Sequence, residues 1–308
     1  MIETKEIRVD YGDVHAVADL TVSIPTGEVY GLIGPNGAGK TSLIRVLATL
    51  LKPTYGDARI ANIDVVEEPA RVRRLLGYMP DLAPVYEDLR CWEFLDLFGA
   101  AYFVSRRERR RRIDACIDQV GLQSKRQAIA GTLSLGMKQR LVLAKTLLPD
   151  PEVLLLDEPA SGLDPMARID MRNMIRDLAH SGKTILISSH ILNELSEFCG
   201  SIGIMEKGRL ILSGRIDEIL ANLSHKKRIV VETLDPAARA AEVLSGLDGV
   251  SSCKAEALRV EFDLEGDEND VAELLRSLVD RGIRIKAFYE RQQGVEDIFL
   301  QIGAKEVS

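Results

Sequence analysis

Cysteine is scarce and scattered. Cys91, Cys116, Cys199 and Cys253 lie far apart with no Cys-x-x-Cys pair. That spacing gives no metal knuckle or disulfide framework, and reduced, mostly buried thiols are expected. Histidine is as sparse, and His15, His180 and His225 show no ligand spacing. No apolar run approaches the roughly 20 residues that span a bilayer. Positive charge is in deficit, 40 Lys and Arg against 47 Asp and Glu, for a net charge of −7. A broadly basic surface for nucleic acid is therefore excluded, and no nucleic-acid partner is expected; only a local patch stays open. The first residues, Met1-Ile2-Glu3-Thr4-Lys5, lack the basic-then-apolar order of a signal peptide. The expected place is the cytoplasm, with any membrane attachment supplied by another chain.

What is present is a soluble globular composition, 46% hydrophobic and 28% charged over 308 residues, enough for one large domain and a smaller one. The most telling stretch is Gly34-Pro35-Asn36-Gly37-Ala38-Gly39-Lys40-Thr41, preceded by the apolar Val29-Tyr30-Gly31-Leu32-Ile33. It reads as a buried strand, a glycine-rich turn and the start of a helix that continues through Ser42. Backbone N–H groups in such a turn cradle a polyphosphate, and the helix aims its positive end at the anion. Lys40 can reach the β and γ phosphates, and the Thr41 hydroxyl can ligate Mg²⁺. A nucleoside triphosphate, ATP, is the expected ligand.

Around this loop the pattern is α/β. Ile7–Tyr11 and Leu20–Ile24 alternate apolar and polar residues, as antiparallel strands do, with a turn at Gly12-Asp13. Ala58–Ile60 is a further short strand. From about residue 86 to 145 the pattern is helical. Ser105 and Glu108 are spaced as a capping box, opening a helix that carries the run Arg109–Arg112. A solvated face is the favoured reading of that run; an acidic or lipid-headgroup partner is the other. Val153–Leu156 and Thr184–Ile187 read as doubly covered parallel strands flanking a helix over Pro165–Ala179. The character changes near residue 222. Beyond it the pattern is β-α-β-β-α-β, the order of a ferredoxin-like unit, with a last short helix over Val295–Ile302. The expected domains are 1–222 and 223–308, the second an α+β accessory unit.

Two acids, Asp157 and Glu158, end the apolar run at Leu156. A strand's carboxyl end is where α/β sheets place ligands. Asp157 can position Mg²⁺ through a water, and Glu158 can orient or deprotonate an attacking water. Upstream stands Leu133-Ser134-Leu135-Gly136-Met137-Lys138-Gln139-Arg140. This resembles the signature sequence of the ABC ATPases, usually Leu-Ser-Gly-Gly-Gln. Ser161-Gly162-Leu163-Asp164 is similar to the family's D-loop, and Ser188-Ser189-His190 to its switch histidine. Tyr11 stands where the family keeps an aromatic that stacks on adenine. The motifs come in family order over roughly residues 1–220.

The resemblance implies a P-loop ABC cassette: a RecA-like core, an antiparallel β subdomain and a helical subdomain. It implies two cassettes facing head to tail, with ATP and Mg²⁺ between them. Lys40, Glu158 and His190 would be catalytic, Val17 and Ser42 would join the loop in binding nucleotide, and Thr41 and Asp157 would serve the metal. Ser134, Gly136 and Asp164 would complete the site of the second copy. The implied partner is a multi-span membrane permease, the implied place the inner face of the cell membrane. Leu135 and Met137 depart from the usual signature, a form similar to that of antibiotic and lantibiotic exporters. With the C-terminal unit this resembles the ABC-2 type exporters of drugs, antibiotics or lipids. A soluble relative acting on ribosomes or nucleic acid is the alternative. The stretch Leu76-Gly77-Tyr78-Met79-Pro80-Asp81 resembles the Q-loop, where a glutamine touches metal and water; Asp81 stands in its place and is expected to approach the metal with Thr41 and Asp157.

Overall fold

The alternation read near the start extends further than expected. Strands β1 (Ile2–Tyr11) and β2 (Val14–Ile24) pair antiparallel from Ile2↔Ile24 to Tyr11↔Val14. The computed structural model describes residues 1–81, 84–191, 195, 198–223 and 226–291. Its contacts divide into two units, Met1–Arg215 and Ile216–Ser308.

In the first unit β3 (Val29–Ile33) is buried along its whole length and leads through the glycine loop into α1 (Lys40–Leu47). Strands β4 (Tyr55–Ile60) and β5 (Ile63–Asp64) complete an antiparallel sheet in the order β2-β1-β4-β5. Its apolar face, including Ile7, Leu20 and Ile24, packs with Leu43, Ile44 and Leu47 of α1. Each such side chain contributes roughly 1.5–3 kcal/mol on burial. The sheet thereby fixes the helix that carries Lys40.

Next come α2 (Pro69–Leu75) and β6 (Leu76–Met79). Three helices follow: α3 (Cys91–Ala101), α4 (Arg106–Gln119) and α5 (Leu135–Leu147). The capping box expected at α4 forms by half. Ser105 Oγ accepts from Glu108 N–H at 3.4 Å. The Glu108 carboxylate turns to Arg111 and Arg112 instead of back to Ser105, and those two guanidiniums pull its carboxyl down to about 2.

Strands β7 (Val153–Asp157) and β8 (Thr184–Ser189) flank α6 (Pro165–His180), and β9 (Ser201–Glu206) and β10 (Arg209–Arg215) follow. The second sheet runs β10-β9-β3-β8-β7-β6, parallel except for the β10–β9 pair. Parallel strands covered on both faces explain the unbroken apolar runs.

The second unit begins with α7 (Ile216–Leu223). The contact division falls at the start of this helix; the composition change falls at its end. Then come β11 (Lys226–Thr233), α8 (Ala238–Ser245), β12 (Val250–Glu256), β13 (Arg259–Glu265), α9 (Glu268–Asp280) and β14 (Ile285–Arg291). All pairings in the sheet β12-β13-β11-β14 are antiparallel. Ile229, Val231, Val260 and Phe262 meet Leu244, Leu274 and Leu278 of the helices in one core. The helix expected over Val295–Ile302 lies outside the described residues. Among the described residues no helix is long and apolar enough to cross a membrane.

Candidate functional site

The loop after β3 and the residue that follows β7 line one cleft of about 530 Å³, and β8 lies between these two strands in the parallel sheet. The loop after β3 forms its floor. A Cβ added at Gly34 would lie 2.3 Å from Met205 O, and one at Gly39 would lie 2.1 Å from Ala16 O. The close approach at 34 and 39 is therefore to the protein's own backbone, in β9 and β2. Gly37, with φ +82° and open space around it, needs glycine for conformation alone. Two backbone bonds lock the arrangement: Gly208 N–H donates to Ala38 O at 3.1 Å, and Ala18 N–H to Gly208 O at 2.8 Å.

Gly39 also has φ +101°. A left-handed residue with a Cβ costs about 1–2 kcal/mol before any clash. Gly39→Ala is expected to lower the melting temperature and weaken ATP binding by at least about tenfold. Titration with a fluorescent ATP analogue checks this, and Gly37→Ala is the milder control.

Lys40 opens α1 and is buried. Its ammonium donates to Gly34 O at 2.6 Å and to Pro35 O at 3.2 Å. It also lies 3.2 Å from Glu158 Oε1, an ion pair by distance, although that oxygen receives no aligned hydrogen bond. On the other carboxylate oxygen, His190 Nδ1 stands 2.8 Å from Glu158 Oε2. Both neighbours of the acid are thus potential cations.

Asp157 ends β7. Its Oδ1 accepts from Thr41 Oγ1 at 3.2 Å and from Ser188 Oγ at 2.7 Å. Ser188 Oγ in turn accepts from Glu158 N–H at 3.0 Å. The hydroxyl therefore ties the ends of β7 and β8. It also holds Glu158 at φ +48°, a left-handed conformation unusual for a side chain of that size. Asp157 Oδ2 is buried and has no hydrogen-bond partner.

Asp81 lines the same cleft. Burial, then the negative charges of Asp157 and Glu158, hold its carboxyl above the usual range. Its backbone carbonyl accepts from Gln139 Nε2 of α5 at 3.4 Å. The Tyr11 hydroxyl, at the end of β1, is 3.5 Å from Ser42 Oγ, so the half-exposed ring stands beside the loop. Val17 does not join them. It is wholly buried in the core; Val14, His15 and Ala16 line the cleft instead, and the pairing of β1 with β2 shifts register between Val9↔Val17 and Asp10↔His15, so simple alternation does not carry through to Val17.

Three further residues lie apart from this cleft. Ser134 caps α5, its Oγ accepting from Met137 N–H at 3.3 Å. Gly136 is buried against α6, where a Cβ would meet Ala167 Cβ at 3.0 Å. Asp164 caps α6, accepting from Met166 and Ala167 N–H at 3.1 and 3.0 Å.

Residues 17–161 match the family model described as ABC transporter, and residues 214–302 match the model described as ATP-binding protein DrrA1-3-like, C-terminal domain. The daunorubicin/doxorubicin resistance ATP-binding protein DrrA of Streptomyces peucetius is 34% identical over 307 residues, covering 98% of this chain and 92% of that protein. The chain belongs to the ABC transporter ATP-binding proteins. Another member of the family, an uncharacterized ABC transporter ATP-binding protein of Synechocystis, is 39% identical over 211 residues, which are 68% of this chain and 59% of that one. Among solved structures, the dimeric bacterial ABC transporter cassette MJ0796 is similar with a TM-score of 0.64 and 26% identity, over 70% of this chain and 99% of that one.

As an ABC ATPase, the chain hydrolyses ATP to ADP and phosphate; Lys40, Thr41 and Glu158 line the cleft, and Asp157 stands behind it, bonded to the Thr41 hydroxyl. Sequence reasoning missed Ser188 as the brace of Glu158. The only signal was a serine at a strand end beside the switch histidine, and nothing local says that its hydroxyl faces the neighbouring strand. It also passed over His15 and Lys207, which line the cleft. His15 comes from the start of β2 and Lys207 from the turn after β9, brought in by long-range pairing.

Proposed function

We propose that this chain is the ATP-hydrolysing subunit of an ABC-2 type exporter of drugs, antibiotics or lipids, acting on a separate multi-span membrane permease at the inner face of the cell membrane. The observation that carries the reading is similarity along both units to a named drug-resistance ATP-binding protein, with 92% of that protein covered. The matching C-terminal family model adds to it. We assign residues 1–222 to the cassette and 223–308 to an accessory unit of ferredoxin-like topology. The β-α-β-β-α-β order and the sheet order β12-β13-β11-β14 support that topology.

Two copies close head to tail on ATP. Each nucleotide lies between one copy's glycine loop and the other's Ser134, Gly136 and Asp164. The support is a shared surface: the starts of α5 and α6 touch through Gly136 and Ala167, and Leu135 and Met166 beside them are 52% and 67% exposed. Apolar side chains this exposed on adjoining helix starts suit a surface that a second copy covers.

The residues present fit Mg²⁺ bound together with the triphosphate. Asp157 Oδ2 is a buried carboxylate oxygen without a partner, and the Thr41 hydroxyl is within hydrogen-bonding reach of the same carboxylate. Among the described residues no cluster of His, Cys, Asp and Glu holds a metal alone, which agrees with an ion that needs phosphate oxygens too. When bound, Mg²⁺ neutralises phosphate charge. Lys40 holds the phosphates, Glu158 orients and deprotonates the attacking water, and His190 steadies Glu158. The N–H groups of the loop and of α1 stabilise charge on the phosphates.

Mg²⁺-dependent ATP hydrolysis by the purified chain, with co-purification of a multi-span membrane protein, tests the proposal. Tyr11→Ala adds a sharper reading. It should weaken ATP binding by about tenfold, a base–aromatic stack contributing ~1–3 kcal/mol, and leave pyrophosphate binding unchanged. Equal losses for both ligands would remove the stacking role.

A further inference from the structure

The link between α3 and α4 breaks two local rules at one place. Val104 N–H donates to Gly99 O at 2.9 Å and Phe103 N–H to Ala100 O at 3.0 Å. These are the paired bonds of a Schellman cap, and they put Phe103 in the left-handed position, at φ +57°. Glycine normally occupies that position, since a bulky side chain there strains the backbone. Phe103 gains no packing in return, because it is 96% exposed. One step on, Arg106 and Arg107 occupy the first turn of α4. Cations at a helix N-terminus oppose the dipole. Local choices that work against the fold point to a demand from outside it.

The arginine run separates into two groups. Arg109 turns inward to Asp96, with Nε to Oδ1 at 2.6 Å, and Arg111 and Arg112 are pinned to Glu108. Among the described residues Arg106, Arg107 and Arg110 are exposed and carry no ion pair. Across a shallow groove from Phe103, Arg73 and Arg74 of α2 add two more exposed guanidiniums; the Arg73 Nε donates to the uncharged Thr49 hydroxyl. Tyr102, 40% exposed, stands beside Phe103. On a chain of net charge −7, this is a local cluster of cations near a protruding aromatic pair, with Glu108 held by Arg111 and Arg112 in the same groove.

We propose that the α3–α4 tip is a contact site for an anionic lipid surface. The aromatic pair enters the headgroup layer while Arg106, Arg107 and Arg110, with Arg74 opposite, meet lipid phosphates. Aromatic rings suit the membrane interface, and guanidiniums near an anionic leaflet attract it. A membrane fits better than a protein partner because Phe103 stands almost wholly exposed at the rim of the groove, and the exposed charges beside it without an ion pair are all cations. The inference deepens the reading of the chain as a transporter subunit: the tip would hold the cassette against the bilayer independently of the permease.

Flotation of the full chain with vesicles of phosphatidylcholine, alone or mixed with phosphatidylglycerol, tests it, with ATPase activity measured in parallel. The expected result is binding to the mixed vesicles only. The triple change Arg106→Gln, Arg107→Gln, Arg110→Gln should weaken it by about 100-fold, at roughly one order of magnitude or slightly less per arginine. Phe103→Gly should weaken it by about tenfold while raising the melting temperature, because glycine relieves the backbone. Both variants should keep wild-type ATPase activity. The proposal is overturned if the wild-type chain ignores anionic vesicles, if the variants float as well as it does, or if Phe103→Gly lowers the melting temperature. It is also overturned if soluble polyglutamate or single-stranded DNA competes as strongly as lipid. Loss of ATPase activity in the wild-type chain would instead strike the transporter reading, so the two failures are distinct.

Discussion

Glu158→Gln should lower ATP turnover by about 10²–10⁴-fold, the usual contribution of a positioned general base, and convert the chain into an ATP-dependent dimer. The substitution keeps the shape of the side chain and an oxygen for His190, now 2.8 Å from the carboxylate. What it removes is the proton acceptor and a negative charge near the phosphates. Without that charge, repulsion of the triphosphate falls and the closed state persists. Size-exclusion chromatography with and without ATP and Mg²⁺ reads the result. A variant that stays monomeric with both present would sink the head-to-tail arrangement.

Lys40→Ala is the second large effect, and it separates stability from binding. Lys40 and Glu158 side chains are 6% and 11% exposed, so screening by solvent is slight. Removing one member of a buried ion pair costs about 3–5 kcal/mol, because the other charge stays buried. His190 remains beside Glu158 and brings the expectation to the lower end of that range. ATP affinity should fall as well, since the phosphates lose their cation. The double variant Lys40→Ala, Glu158→Gln should recover most of the stability and none of the ATP affinity. Urea unfolding of the four proteins gives the coupling energy. If Lys40→Ala is equally destabilising in both backgrounds, the pair contributes nothing to the fold.

The legible parts of the fold were those that local physics settles. Val29–Ile33, Val153–Leu156 and Thr184–Ile187 read as buried parallel strands because no polar residue interrupts them, and all three lie in the parallel sheet. The β-α-β-β-α-β order beyond residue 226 was legible from the succession of short strand-forming runs and helical spacing, although polar residues interrupt its strands. The sequence motifs of the site were legible as motifs, but their partners were not. Gly34 and Gly39 read as a phosphate cradle, yet what forbids a side chain there is Met205 O and Ala16 O, from distant strands. Val17 was expected at the nucleotide from resemblance; it lies in the core, beyond a register shift in the β1–β2 pairing. Glu108 was expected to cap α4, but two arginines on the same helix compete for its carboxylate. In each case the deciding neighbour is set by competition or by chain pairing rather than by spacing.

The clasp around the glycine loop has a kinetic meaning. The turn at Gly208 links strand β2 to the loop by backbone bonds, accepting from Ala18 N–H and donating to Ala38 O. Bonds that the protein makes to itself restrict the loop before capture, so less conformational entropy is lost on binding. ATP, ADP and pyrophosphate then meet the same rigid receptor, and the loop by itself is a poor judge of the third phosphate. Discrimination falls to groups beyond the loop, Glu158 with His190 behind it among them, and it should be read in how long each ligand stays rather than in how fast it arrives.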